Sequence, residues 1–90
     1  MRTVYVEASQ TNAALTTRGT GSILNQLVIS NGGILPGTVT LNDGVNTAMI
    51  ILPTNTPLGV YHIPIYAASQ NGNWRITTPA GCRVIATIGL

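Results

Sequence analysis

Between Gly37 and Leu52 the chain reads Gly-Thr-Val-Thr-Leu-Asn-Asp-Gly-Val-Asn-Thr-Ala-Met-Ile-Ile-Leu. This stretch constrains the fold more than any other. Val39 and Leu41 alternate with Thr38, Thr40 and Asn42, the period of a strand with one buried face. Asp43-Gly44 follows, a dipeptide that accepts positive φ at both centres of a type I′ turn. A second apolar run, Val45 to Leu52, then returns. The pattern predicts a β-hairpin. On its return strand Ala48, Ile50 and Leu52 share one face, and Val45, Met49 and Ile51 the other. With both faces apolar, that strand is expected to be covered on both sides or to meet a partner.

The rest of the chain repeats the same grammar. Thr3 to Ala8 alternates, with Val4 and Val6 on one side and Thr3, Tyr5 and Glu7 on the other, as an edge strand would. Ser9 to Gly21 is polar and small, with a brief strand expected at Ala13 to Thr16. Residues 1–21 read as an N-terminal arm that adds a strand to its own sheet or to a neighbouring subunit. Ser22 to Ser30 is the first core strand, with Ile23, Leu27 and Ile29 inward and Asn25 as the break in that phase. Leu58 to Tyr66 places Tyr61, Ile63 and Ile65 inward and Val60 and His62 outward, with Pro64 marking an edge. Asn71-Gly72 turns the chain, Trp74 and Ile76 point inward, and Cys82, Val84, Ala86 and Ile88 line the last strand. No segment carries a helical apolar stripe. The expectation is all-β: one antiparallel β-sandwich of about seven strands over residues 22–90, with immunoglobulin-like or jelly-roll connectivity.

Composition says how such a fold is held. Ninety residues make one domain with a modest core. The single cysteine, Cys82, excludes an internal disulfide, and one histidine with two acids makes a metal site improbable. Support from neighbouring chains remains. Charged residues are 7% of the chain, against roughly 25% in ordinary globular proteins. A protein diffusing alone keeps a charged, mixed surface. A surface of Thr, Asn, Gln and Ser hydrogen-bonds to partners without burying ions, so this composition points to a subunit inside an assembly. The net charge of +2 comes from scattered arginines without a basic patch, which argues against direct nucleic-acid binding. No run approaches the ~18 apolar residues of a membrane span. Met1 to Glu7 lacks the apolar core of a signal peptide, so the chain is expected to be made in the cytoplasm.

Few residues are candidates for chemistry. His62 would need a nucleophile and an orienting acid beside it; the only acids are Glu7 and Asp43. Cys82 stands next to Arg83, a neighbour of the kind that lowers a thiol pKa, yet reads as an inert core thiol. Trp74, Tyr61 and Tyr66 could stack on a sugar, but the alternation around Trp74 reads as the core plug of a sandwich. Gly19-Thr20-Gly21 precedes a strand rather than the helix a phosphate loop requires, and Asp43-Gly44 lacks the repeated acids of a calcium loop. No catalytic residue, cofactor or metal ligand is expected. The expected interface residues are Val4, Tyr5, Val45, Met49, Ile51 and Tyr66.

Leu27-Val28-Ile29-Ser30-Asn31-Gly32-Gly33, Gly37-Thr38-Val39-Thr40-Leu41-Asn42-Asp43-Gly44 and Asn71-Gly72 ahead of the final strands resemble the small stand-alone β-sandwich virion proteins of tailed bacteriophages. The resemblance spans roughly residues 21–90 and departs around Pro53 to Pro64, where this chain is richer in proline. It implies a non-enzymatic capsid decoration or cement subunit that binds the major capsid protein or other virion subunits through trimeric or other symmetric contacts. It also admits a head-fibre, tail or adhesin-like module that binds host glycan or protein. The implied location is the virion.

Overall fold

The computed structural model describes residues 2–44 and 47–89, with Thr47 described by its backbone alone. The described residues form eight strands: β1 (Arg2–Val6), β2 (Ala13–Ala14), β3 (Ile23–Asn31), β4 (Val39–Asp43), β5 (Thr47–Leu52), β6 (Gly59–Ala68), β7 (Trp74–Thr77) and β8 (Cys82–Ile88). They build two antiparallel four-stranded sheets, ordered β1-β8-β3-β6 and β2-β7-β4-β5. This is a β-sandwich with slightly more strands than the seven or so that the turn spacing predicts; β2 falls on the brief strand expected at Ala13 to Thr16, shortened to two residues.

The strand order decides the connectivity. Strand β1 pairs with β8, β2 with β7, β3 with β6 and β4 with β5. The chain is thus one long hairpin doubled back on itself, with the β4–β5 connection at its tip. Every other connection crosses from one sheet to the other. Of the two arrangements left open above, this is the jelly roll.

Alternation within the strands supplies the core. Leu24, Leu27 and Ile29 of β3, Val39 and Leu41 of β4, Trp74 and Ile76 of β7, and Cys82, Val84, Ala86 and Ile88 of β8 are buried between the sheets. Leu15 and Leu35 enter from the connections. Trp74 plugs this core as expected. Its indole N–H donates to the Ser22 carbonyl at 3.0 Å, so its one polar atom is satisfied.

Three local expectations change. The register of β3 against both neighbours shifts between Leu24 and Gln26. This bulge at Asn25 flips the phase, so Leu24 is fully buried and Ile23 only half-buried. A second shift, between Val39 and Thr40, leaves Ile51 as the extra residue of β5. Leu52 therefore faces the core, while Ala48 and Ile50, opposite Asn42 and Thr40, face out. Thirdly, Asp43 pairs with Thr47, so three residues link the strands rather than a two-residue type I′ turn. Gly44 has φ of 71°, but Asp43 is not at positive φ. The Asp43 carboxylate instead accepts from the backbone N–H groups of Gln70 and Asn71 at 3.0–3.1 Å. The Gly44 backbone lies so close to Asn71 that a Cβ would run into its carbonyl.

Strand β5 is an edge, not a strand covered on both sides. The N-terminal segment takes the first of its two expected courses, pairing within its own sandwich. Val6, Leu15 and Thr16 are buried there, and the Thr16 hydroxyl accepts from the Trp74 N–H at 3.0 Å.

Candidate interaction surface

The outer face of the β1-β8-β3-β6 sheet gathers most of the exposed apolar side chains that lie on strands. Register places Tyr5, Ile85, Val28 and His62 side by side across its four strands. The next rung is Thr3, Thr87, Gln26 and Pro64; on the other side Ser30 stands between Arg83 and Val60. Tyr5, Val60 and Tyr66 are each about 70% exposed (74%, 71% and 69%) and Ile85 39%. The charges of this face sit at one end, where Arg83 and Glu7 meet at 3.5 Å, both largely in water. Such a pair contributes little to stability. A depression of ≈ 240 Å³ beside Tyr5 and Ile85 is smaller than the ~300–1,000 Å³ of small-molecule pockets. The face suits a broad partner better than a small ligand.

The outer face of the other sheet differs. Its rungs are Ala14, Arg75, Asn42 and Ala48, then Thr77, Thr40 and Ile50. Apart from Ile50, 65% exposed, its larger side chains are polar. At one end of the sandwich, the loops around Leu35 and Thr56 exchange backbone hydrogen bonds, and Asn31 donates to the carbonyls of Thr56 and Pro57. These braced loops carry exposed Ile34 and Leu58.

The five expected interface residues that lie among the described residues do not form one patch. Tyr5 and Tyr66 lie on the outer side of the same sheet, on opposite edge strands. Val4 points inward and is half-buried against the core. Its partner in the register is Ala86, itself buried. Met49 and Ile51 lie on β5 in the other sheet; Met49 is 40% exposed and Ile51 half-buried against the core. Val45 falls outside the described residues. Ile85 and Val28 went unassigned in the sequence reading. Their signal was available: each alternates with buried neighbours in a strand whose phase was otherwise clear.

The other candidates resolve individually. His62 is exposed and its Nε2 lies 2.8 Å from Gln26 Oε1. The Tyr61 hydroxyl donates to the Pro57 carbonyl at 2.7 Å. Burial pushes the Cys82 thiol pKa up, the reverse of what a nearby arginine would do; Arg83 turns outward to Glu7. Among the described residues no three His, Cys, Asp or Glu side chains gather as metal ligands would. No protein-family model, curated protein or solved structure matches this chain.

Proposed function

We propose that this protein is a non-enzymatic structural subunit of a virus particle, a decoration or cement protein that binds the head surface and stabilises it. The observation that carries the reading is the outer face of the β1-β8-β3-β6 sheet, where Tyr5, Ile85 and Val28 share one rung, Val60 and Tyr66 are exposed on the same face, and Thr3, Thr87, Gln26 and Ser30 stand beside them. Large exposed apolar patches rimmed by polar groups mark sites of protein association, and tyrosines are favoured anchors there. The jelly roll supports the reading by analogy, since capsid proteins are among its users. A subunit held in a lattice gains stability by mass action, because the lattice binds only the folded form. Many modest contacts, repeated in symmetric copies, give firm attachment.

The alternative, a fibre or adhesin-like module reading host glycans, loses its main support. Trp74 is buried, so an aromatic platform would rest on tyrosines at opposite edges of one sheet. Mass analysis of purified particles tests the proposal. The chain is expected in many copies per particle; particles that lack it overturn the reading.

A further inference from the structure

A sandwich has four edge strands, and exposed edges invite pairing with other chains unless they are blunted by charge, proline, bulges or shortness. Here β1, β2, β5 and β6 are the edges. Strand β1 carries Arg2 and is followed by Glu7; β2 is two residues long. Strand β6 contains Pro64, and Tyr66 within it stands at φ of 50° opposite the irregular stretch of β3. Strand β5, Thr-Ala-Met-Ile-Ile-Leu, has neither charge nor proline, and its one irregularity lies at the Ile51 end. It pairs with β4 on one side and with no strand on the other among the described residues.

We infer that β5 is the site of self-association, pairing antiparallel with β5 of a second copy about a two-fold axis. This joins two four-stranded sheets into one of eight strands. The inference rests on the reading that the chain works within an assembly, and it assigns the contact between copies to a surface other than the one proposed for the particle. The charge distribution selects the occupant. A two-fold axis sets the residues nearest to it against their own counterparts, so an ionic group there would face a like charge. The flank formed by β5 and β6 holds no Asp, Glu, Lys or Arg, and its one titratable imidazole, His62, lies on the outer side of β6. The inner side of this flank is also open: Tyr61, Ile63 and Ile65 are only half-buried and Met49 is 40% exposed. A second copy would bring its own Met49 and Ile51 toward these side chains.

Sedimentation of the purified full chain, with two variants, tests this. The wild type is expected to be a dimer at about 50 µM. Ile50→Lys places a charge on the edge at a side chain already 65% exposed. It should raise the dimer Kd at least about tenfold while leaving the far-UV circular dichroism unchanged. Val60→Lys, on β6 and the outer face of the other sheet, should leave the dimer intact. Of single cysteines at Ala48 and Ile50, only the one beside the axis should cross-link readily between copies under mild oxidation, with buried Cys82 silent. A monomeric wild type, or a dimer indifferent to Ile50→Lys, overturns the inference. So does a larger oligomer sensitive to both lysines, which would pair β5 with β6 of the next copy. A monomer that is nonetheless found on particles overturns this pairing and spares the particle reading. A dimer whose chain is absent from particles does the opposite.

Discussion

Tyr66 holds a left-handed backbone, φ of 50°, at a bulky residue that is 69% exposed. That conformation costs a non-glycine residue roughly 1–2 kcal/mol, and no burial of the ring offsets it. Strain of this kind gathers at functional positions. Tyr66→Gly is expected to keep stability within about 1 kcal/mol of wild type, strain relief being set against backbone entropy. The same variant should weaken attachment to particles. Denaturant titration beside a particle-binding assay checks both halves. Cys82 makes a different prediction. Its folded pKa is raised above the ordinary value of 9.0 by burial. The unfolded thiol therefore ionises first, and the thiol's contribution to stability, whole below pH 9.0, is lost as pH rises through the folded pKa. Stability measured across that window should fall more steeply for wild type than for Cys82→Ala.

At the scale of elements, the bulges matter most. Each strand's buried face follows from strict alternation in the sequence, and for β1, β4, β6, β7 and β8 that alternation reads true. At Asn25 and Ile51 one extra residue reverses the phase, and an apolar run such as Ile23-Leu24 or Ile50-Ile51-Leu52 fits either parity equally well. Only pairing with a neighbour of different residue count selects one. The N-terminal segment is a similar case. Its strands are legible, but whether they join this sandwich or another depends on whether a matching edge exists nearby, and β8 and β7 supply it. Deleting residues 1–20 is therefore expected to unfold the domain rather than release an arm. It removes Val6, Leu15 and the Thr16 hydroxyl from the core around Trp74. Loss of the strand circular dichroism signal and a red shift of Trp74 fluorescence would show it; a folded, cooperative truncation would count against it.

For the whole molecule, the scarcity of charge is the governing property. With six charged side chains and, among the described residues, one exposed ion pair, attachment through the Tyr5–Ile85 face has little to lose to screening. Particle binding is expected to change less than about threefold as salt rises from low to about 0.5 M, as titration of bound copies against ionic strength would reveal. A steep fall would indicate that electrostatics, and not apolar contact, holds the subunit. The candidate surface was legible in part. Tyr5 and Tyr66 stood out as exposed aromatics, but nothing in the chain order says that Tyr5, Ile85, Val28 and His62 form one rung. Those residues are brought together by pairings between distant strands.

The sequence alone determined that this chain is all-β, that it turns about the Val39–Leu52 hairpin, and which side of most strands is buried. Alternation and turn chemistry are local, and local rules suffice for them. The tertiary structure alone decided the jelly-roll order, the two phase reversals, and which edges remain open. Each depends on which strand lies beside which, and that is settled by packing two sheets around one shared core.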